Sequence, residues 1–528
     1  MKWITHPVLV ALGIATLCTM SLPGPFISFP HEAVYHLAGS GPALFVPVEL
    51  NICAVWGLLT VILWLAGRFR RLRAAVWCFL LATLPWILLK NVVSMFDLRL
   101  TERMAATAFI FPLAAMLGAA VLWWPERAAI FERVQGFAST LFGFSSLAGM
   151  VVLVQLFWFG WEARNLNRVR RLHQPSSVSR LHPHSRVIWI ILDELSFQQV
   201  YEQRFPGLRL PAFDDLATTA TVFTDVKPAG GLTANVVPSL ITGYGVDRLD
   251  VTGGGQLRAL HDPVSGVWRP FDPRQTVFQD ALDAGYSTAI AGWHIPYCRI
   301  LPEVLDHCFW IVRSSYHGHM ASDRGLAANL AGPYRGFGSA TYRYLFMRGT
   351  TSSVDIDPSL LHIADFTDLM SASDALLSDS SSDFILLHLP IPHPGGIFDR
   401  RRGTLTTRSS SYVDNLALAD QSLAHIRQLL ERKSEWESSA ILVMGDHSWR
   451  TWMWAPTVAW TAEDQAASHG GQFDDRPAYI VKLPGQRDAA RIDDPFAATR
   501  TRALLDAILA GRLRTSDDLR TWVEQGQR

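Results

Sequence analysis

RVIWIILDELS, residues 186–196, runs from an unbroken apolar segment straight into two acids. The six large apolar residues from Val187 to Leu192 predict a strand that is covered on both faces, as in a parallel sheet. Asp193 and Glu194 follow at its carboxyl end, which is the edge where open α/β sheets bind ligands. This position of the two acids indicates a site for a metal or a phosphate. The alternative is a loop whose carboxylates only face water.

Short apolar runs of the same kind recur further along the chain. They are Thr221–Thr224, Ser287–Ala291, Cys308–Val312, Phe384–His388, Ala440–Met444 and Ala478–Leu483. Helical patterns separate several of them, and the clearest, Tyr412–Lys433, has apolar residues along one face. Strands that alternate with helices indicate an α/β domain with a mostly parallel sheet covered by helices. The Ser- and Asp-rich stretch Ser371–Ser382 is expected to be a surface loop.

The first third of the chain has a different composition. Of the 528 residues, 49% are hydrophobic and only 18% are charged, and the apolar excess is concentrated there. Because about 20 apolar residues cross a bilayer as a helix, its long uncharged runs predict about five membrane spans. The runs are Pro7–Leu22, Leu44–Ala66, Ala74–Phe96, Ala108–Trp124 and Phe137–Gly160. We therefore predict an α-helical membrane domain over residues 1–162, a linker over 163–185 and an α/β domain over 186–528.

The arginines of the short loops predict how the chain is oriented. They lie in Arg68–Arg73 after the second span and in Arg127–Arg133 after the fourth, and short cytoplasmic loops carry such charge. The α/β domain is then extracytoplasmic. Arginines after the fifth span disagree with this orientation, because they lie on the predicted external side. They influence orientation less than the arginines of short loops, because a long domain follows them. The balance of 47 basic and 47 acidic residues gives no electrostatic case for nucleic-acid binding.

Cysteine usage agrees with an oxidising compartment. Three of the cysteines fall in predicted spans, namely Cys18, Cys53 and Cys78. The other two, Cys298 and Cys308, form an isolated close pair in the soluble part, which predicts a disulfide. The alternative is that this pair binds zinc together with His294 and His307.

Two further stretches carry candidate chemistry. In GGLTANVVPSLITG, residues 230–243, paired glycines allow a tight turn, so the hydroxyl of Thr233 is either a helix N-cap or a nucleophile. In AILVMGDH, residues 440–447, an apolar strand ends at Asp446 and His447. These neighbours can face one metal only from a turned loop, and the alternative is an ordinary surface turn.

Together these stretches resemble the alkaline phosphatase superfamily in its sulfatase-like branch. ILDEL resembles the strand-plus-acid motif that opens that fold, and TANVVPSLITG keeps the distance from nucleophile to glycine in the pattern C-x-P-S-R-x-x-x-x-T-G. MGDH resembles the SDHG motif, and HLPIPHP resembles the H-x-P segment. Five spans followed by such a domain also resemble lipoteichoic acid synthases and the phosphoethanolamine transferases of bacterial envelopes.

The resemblance implies a role for each matched residue. Thr233 becomes the nucleophile. The metal ligands become Asp193, Glu194 or both, Thr233, Asp446 and His447. His393 in IPHPG and His469 in ASHGG match histidines that bind substrate phosphate or a second metal in relatives. Mixed nitrogen and oxygen ligands suit zinc best, with manganese as the alternative.

Departures from the sulfatase pattern limit which reactions are expected. Position 233 holds neither the Cys nor the Ser that sulfatases convert to formylglycine, Leu240 replaces the usual Arg, and Ser448 replaces the Gly of SDHG. Hydrolysis of sulfate esters by the formylglycine route is therefore not expected.

The expected function is a metal-dependent transferase anchored in the bacterial cytoplasmic (inner) membrane by several spans, with its catalytic domain on the periplasmic side. It would move a phosphoethanolamine or phosphoglycerol type of substituent from a phospholipid to an envelope glycan or glycolipid through a phospho-threonine intermediate. Two alternatives are a sulfatase-like phosphodiester hydrolase and a non-catalytic, membrane-anchored binding module.

Overall fold

The computed structural model describes residues 3–24, 26, 34–95, 128–166, 185–316, 320–335, 357–408, 410–457 and 459–526. Over these residues the chain forms two compact units. The first unit takes its residues from Met1–Leu166, Gly253–Gly255 and Ser314–Ile356, and the second from Asn167–Thr252, Gln256–Arg313 and Asp357–Arg528. The domain limits at residues 162 and 185 stay a prediction.

The first unit contains apolar helices. They are α1 (Pro7–Cys18), α2 (Gly41–Arg68), α3 (Arg70–Met95) and α4 (Ala128–Glu162). By length and composition, Gly41–Arg68 and Phe131–Asn165 can cross a membrane, with hydropathies of 2.0 and 1.9. Helix α1 has 12 residues, fewer than the roughly 20 that a span needs. The predicted span Ala108–Trp124 lies outside the described residues, so the number of five spans is unconfirmed.

A stretch from the predicted α/β domain packs inside this first unit. The buried side chain of Asn329 donates a hydrogen bond to the carbonyl of Ala43 at 2.9 Å. In return, Asn51 on α2 donates to the carbonyl of Leu330 at 3.2 Å. These bonds tie residues 320–335 to the first turns of α2.

The strands of the described chain are short and mostly belong to one sheet. In chain order they are β1 (Val187–Leu192), β2 (Thr221–Phe223), β3 (Val226–Lys227), β4 (Arg248–Val251), β5 (Leu257–Asp262), β6 (Val267–Pro270), β7 (Thr288–Trp293), β8 (His307–Ile311), β9 (Ser315–Tyr316), β10 (Met320–Ala321), β11 (Phe384–Leu389), β12 (Phe398–Asp399), β13 (Thr404–Leu405), β14 (Ala440–Gly445), β15 (Tyr479–Lys482), β16 (Ala490–Ile492) and β17 (Phe496–Ala497). Eight of them form a sheet in the order β16-β2-β15-β14-β1-β11-β7-β8. Only β15 pairs antiparallel with its neighbours in that sheet, which confirms the predicted mostly parallel arrangement.

The second unit also contains helices. They are α5 (Pro211–Ala217), α6 (Thr233–Thr242), α7 (Val277–Asp283), α8 (Tyr297–Ile300), α9 (Pro358–Ser378), α10 (Tyr412–Arg432), α11 (Thr451–Trp454), α12 (Ala462–Ala467), α13 (Thr501–Leu509) and α14 (Ser516–Gln525). The predicted helix Tyr412–Lys433 is confirmed as α10, which begins at a capping box formed by Ser411 and Asp414. Apolar side chains from the sheet, α9 and α10 form one buried core.

The predicted surface loop at Ser371–Ser382 is wrong over most of its length. Residues up to Ser378 continue helix α9. Leu369 and Leu377 are completely buried, and the Ser373 hydroxyl is satisfied by the carbonyl of Leu369 at 2.7 Å. Burial of one apolar face therefore outweighs the loop-like composition. The serine hydroxyl forms a hydrogen bond with a carbonyl of its own helix, so it does not interrupt the helix.

The register of the sheet brings three strand ends together. Leu192 at the end of β1 pairs with Gly445 of β14 on one side and with Leu389 of β11 on the other. All three strands run parallel, so the residues that follow each of them emerge at one edge. Asp193, Asp446 and the HPGG turn after β11 are thereby neighbours in space.

Candidate metal centre

The two acids that end β1 are both buried. Asp193 is 1% exposed and Glu194 is 0% exposed. Glu194 has a left-handed backbone with φ of 64°, which is uncommon for a residue other than glycine and is typical of functional sites. The reading of these acids as a water-facing loop is therefore wrong.

Thr233 begins helix α6 but does not cap it. The N-cap is Leu232, which makes no side-chain cap, and Thr233 is the first helical residue. The hydroxyl Oγ1 of Thr233 instead donates to Oδ2 of Asp446 at 2.7 Å. Of the two roles that the sequence left open for this hydroxyl, the N-cap is excluded.

Three side chains converge around that hydroxyl. Besides Asp446, Oγ1 of Thr233 lies 3.4 Å from Oδ2 of Asp193 and 3.3 Å from Nε2 of His447. Ligand atoms of Asp193, Asp446 and His447 lie within 4.8 Å of one another, as a metal ion requires. All four residues are at most 7% exposed. The structure thus joins the predicted nucleophile to three of the predicted ligands.

The donor and acceptor pattern of this cluster fits a cation. Nδ1 of His447 faces the carbonyl of Ser448 at 3.1 Å, and a carbonyl only accepts, so Nδ1 carries the proton. Nε2 of His447 lies 3.2 Å from Oδ2 of Asp446, so both atoms point at the same small space. In addition, Oδ1 of Asp193 is buried without a hydrogen-bond partner among the described residues. A metal ion satisfies all of these atoms at once.

Burial and charge act differently on the two central acids. Burial, reinforced by the charge of Asp446, raises the pKa of Asp193 well above its ordinary value. Burial would also raise the pKa of Asp446, but the imidazoles of His447 and His388 keep it below its ordinary value. The cluster therefore concentrates negative charge that a cation would stabilise.

Glu194 faces a different partner. Its Oε1 accepts from Nε of Arg450 at 2.9 Å and from the indole N–H of Trp454 at 3.0 Å, and its Oε2 accepts from the backbone N–H of Arg450 at 3.1 Å. Nη2 of Arg450 also contacts Oε1. The arginine is 7% exposed. Sequence reasoning missed Arg450, and the only available signal was that neighbouring buried acids need a positive partner.

His393 lies at the rim of the same cluster. One of its ring nitrogens is within 4.8 Å of carboxylate oxygens of Asp193 and Glu194. Nδ1 faces the carbonyl of Pro394 at 2.8 Å and therefore carries the proton, which leaves a lone pair on Nε2. Burial lowers the pKa of His393 well below its ordinary value, so the ring is neutral at pH 7.

His388 was not assigned a role from the sequence, although it lies in the HLPIPHP segment. It is fully buried in β11, its Nδ1 is 2.8 Å from the hydroxyl of Tyr297, and burial lowers its pKa to about 4. The ring lies close enough to Asp446 for the charged forms of the two groups to stabilise each other. His388 therefore supports the site from within the sheet.

His469 is placed differently from the other predicted site residues. It is exposed and has a left-handed backbone with φ of 52° in the turn after α12. None of the described hydrogen bonds or ion pairs around Thr233 involves its side chain. The carbonyl of Gly471 in the same turn accepts from Thr451, next to Arg450, at 3.1 Å. The turn thus contacts the helix that follows the site, while the role predicted for His469 stays a prediction.

Cys298 and Cys308 are joined by a disulfide that links α8 to β8, with their Cα atoms 5.6 Å apart. The disulfide uses both sulfur atoms, so no thiolate is left for the alternative zinc site.

Comparison with known proteins adds family information to this geometry. Residues 185–298, which contain Asp193 and Thr233, match the Sulfatase family model. No protein with a curated description matches the chain.

Solved structures share a low level of similarity with the chain. Ps i-CgsB in complex with a neocarrahexaose has 15% identity and a TM-score of 0.41, covering 65% of this chain and 77% of that one. The phosphonate monoester hydrolase of Agrobacterium radiobacter has 14% identity and a TM-score of 0.36, with coverages of 62% and 74%. A murine ectonucleotide pyrophosphatase/phosphodiesterase 5 bound to AMP has 10% identity and a TM-score of 0.34, with coverages of 62% and 95%.

Similarities at this level support no statement about the activity of the present chain. The family match and the cluster around Thr233 agree with the order of motifs along the sequence. Residues 185–298 therefore match a sulfatase domain, in agreement with the resemblance that the motifs indicate.

Proposed function

We propose that the protein is a membrane-anchored, metal-dependent transferase that moves a phosphoryl substituent from a phospholipid to a hydroxyl of an envelope glycan or glycolipid. The substituent is of the phosphoethanolamine or phosphoglycerol type. One observation carries the proposal. The hydroxyl of Thr233 lies within reach of Asp193, Asp446 and His447 at once, with no formylglycine precursor at that position.

The residues present support a first transfer onto Thr233. A divalent ion bound by Asp193, Asp446 and His447 would make a coordinated hydroxyl more acidic and would stabilise charge on phosphoryl oxygens. Oδ2 of Asp446 accepts a hydrogen bond from Oγ1, so it orients the hydroxyl and can take up its proton when Oγ1 attacks. Oγ1 forms a bond to phosphorus, the bond from phosphorus to the lipid alkoxide breaks, and that oxygen takes up a proton.

The second transfer releases the threonine. A hydroxyl of the acceptor loses its proton and attacks phosphorus, and the bond to Oγ1 of Thr233 breaks as Oγ1 regains a proton. The neutral ring of His393, with its lone pair on Nε2, is suited to take the proton of the acceptor. Arg450 supplies a fixed positive charge at the same site.

A lipid donor agrees with the first unit of the chain. Two of its helices in the described residues are long and apolar enough to cross a bilayer, and an enzyme held in the membrane reaches a lipid headgroup directly. The disulfide between Cys298 and Cys308 suits an oxidising, extracytoplasmic compartment. Zinc is the proposed metal, with manganese as the alternative, because the ligands combine imidazole with carboxylates.

Replacement of the nucleophile tests the proposal. In Thr233→Ala, transfer of a labelled headgroup should fall by at least about 10³-fold, because no covalent intermediate can form. Thr242→Ala, at the other end of α6, removes a hydroxyl that bonds the carbonyl of Pro238 and should retain transfer. Undiminished transfer by Thr233→Ala, measured by mass spectrometry of the acceptor, would sink the proposal.

The same intermediate separates transferase from hydrolase. Protein labelled at Thr233 by the donor, then freed of donor, is given either water alone or an acceptor glycolipid. Faster loss of the label with acceptor, together with a modified acceptor, supports transfer. Equal loss in both arms with free headgroup phosphate as product would assign a phosphodiester hydrolase instead.

A further inference from the structure

The candidate metal centre contains two overlapping sets of ligands. The first is Asp193, Asp446 and His447, and the second is Asp193, Glu194 and His393. In each set, one ligand atom per residue lies within 4.8 Å of the others. Since the sets share Asp193, their donor types alone would allow a pair of bridged ions.

The second set is already occupied by protein hydrogen bonds. Glu194 receives the Nε–H, an Nη2 and the backbone N–H of Arg450 as well as the indole N–H of Trp454. A carboxylate offers about four lone-pair sites, and these donors fill them. A metal at Glu194 would have to displace Arg450, which would leave a guanidinium buried without its partner, a strongly unfavourable change.

The balance of charges in the site also disfavours a second metal ion. Three buried carboxylates, Asp193, Glu194 and Asp446, face one buried guanidinium, that of Arg450. A single divalent ion therefore leaves the site close to neutral when the histidines are uncharged. A second divalent ion would leave it strongly positive and would lie beside the guanidinium, where like charges repel in a poorly screened interior.

Arg450 also positions the segment that leads to the nucleophile. Its Nη1 donates to the carbonyl of Gly231 at 3.1 Å, two residues before Thr233. Because Glu194 follows the metal-ligand candidate Asp193, one arginine connects the end of β1 to the loop before α6. Its planar fork allows both contacts at once, which a lysine could not reproduce.

We infer that this centre holds one metal ion and that the ion pair of Arg450 with Glu194 excludes a second. The inference rests on the proposed function, since it assumes that the set around Thr233 binds the first ion. Arg450 is a positioning residue that supplies the positive charge otherwise brought by a second ion. His393 then keeps its Nε2 lone pair for the substrate and does not ligate a metal.

Metal stoichiometry of the purified full-length protein tests this inference. Metal-free protein in detergent is equilibrated with Zn²⁺ buffered by a competing chelator, so that weak surface sites stay empty, and bound zinc is counted by mass spectrometry. One ion per chain is expected for the native protein. His393→Ala should keep one ion with unchanged affinity, whereas Asp446→Asn should weaken zinc binding at least about tenfold. Two ions in the native protein, or loss of an ion in His393→Ala, would overturn the inference.

Removal of the guanidinium tests the exclusion itself. Arg450→Met should bind two ions per chain, and Arg450→Met combined with Glu194→Gln should return to one. A folded Arg450→Met that still binds one ion at every buffered zinc concentration would refute the blocking role. Zero ions in the native protein would instead contradict the proposed function, so the two failures are distinguishable. If Arg450→Met does not fold, the counts for native protein and His393→Ala still decide the question.

Discussion

Asp193 and Glu194 are adjacent in the sequence but have opposite surroundings. Oδ1 of Asp193 is buried with no hydrogen-bond partner among the described residues, while the oxygens of Glu194 accept from Arg450 and Trp454. The left-handed backbone at Glu194 separates the two side chains into these environments. One acid is therefore available to a cation, and the other is held by an arginine.

Asp420 is a buried acid outside the site. On helix α10 it is 3% exposed, and its Oδ1 accepts from the backbone N–H of Phe213 at 3.0 Å. Burial raises its pKa to about 6. The folded chain therefore keeps the proton of Asp420 to a higher pH than the unfolded chain does.

This difference predicts a pH dependence of stability. The contribution of Asp420 is fully present below the pKa of the unfolded chain, near 4, and is lost as pH rises through about 6. Asp420→Asn keeps the acceptor oxygen but cannot ionise. Between pH 4.5 and 7.5, as measured by denaturant unfolding, this variant should lose less stability than the native protein, by on the order of 1 kcal/mol. The same substitution at exposed Asp283 serves as the control, and equal losses in native protein and Asp420→Asn would contradict the prediction.

Helix α6 carries the nucleophile at one end and ends at a glycine at the other. Gly243 has φ of 82°, and its N–H bonds the carbonyl of Ser239 at 2.9 Å. A Cβ at this position would also approach side-chain atoms of Arg502 at 3.3 Å. The helix therefore stops where the chain can adopt a left-handed conformation.

Gly243→Ala tests that helix end. It should lower the free energy of unfolding by about 1–2 kcal/mol, because alanine is strained in the left-handed region. Gly245→Ala, two residues further on, has only ordinary contacts with Pro263 at 3.8 Å and should change stability much less. Thermal unfolding of the two variants measures the difference. Equal unfolding midpoints for Gly243→Ala and the native protein would show that the left-handed conformation at Gly243 does not stabilise the end of the helix.

At the scale of the whole molecule, parallel strands collect residues that are far apart in sequence. The backbone N–H of Glu194 donates to Asp446 at 3.0 Å, across 252 positions of the chain. β1 and β14 are adjacent and in register, so the acids that follow them emerge at the same edge. The site is thus a property of the sheet and not of any single motif.

Membrane anchoring is a prediction about the whole chain. The protein should stay with membranes through an alkaline wash and dissolve only in detergent, because two apolar helices of span length resist extraction. A membrane-impermeant thiol reagent on intact cells should label a cysteine at Val264, which is 93% exposed, but label one at Arg71 only after lysis. Release by the wash would refute anchoring, and the opposite labelling pattern would refute the orientation.

The sequence by itself determined the local features of this protein. Six apolar residues followed by two acids are enough to predict β1 and its ligands at the carboxyl end, because strand burial and chain direction are local properties. The spacing of apolar residues likewise predicted α10. The order of the motifs around Asp193, Thr233 and Asp446 led to the family, which the match over residues 185–298 supports independently.

Only the tertiary structure decided which side chains of these local features interact with one another. It paired Glu194 with Arg450 across 256 positions, turned the hydroxyl of Thr233 towards Asp446 instead of its own helix, and continued α9 through a stretch with loop-like composition. Each of these outcomes depends on which groups are buried together, since a buried charge or hydroxyl bonds to whichever partner the fold brings within reach. That proximity is a consequence of how the sheet and its helices pack, and no local pattern of residues encodes it.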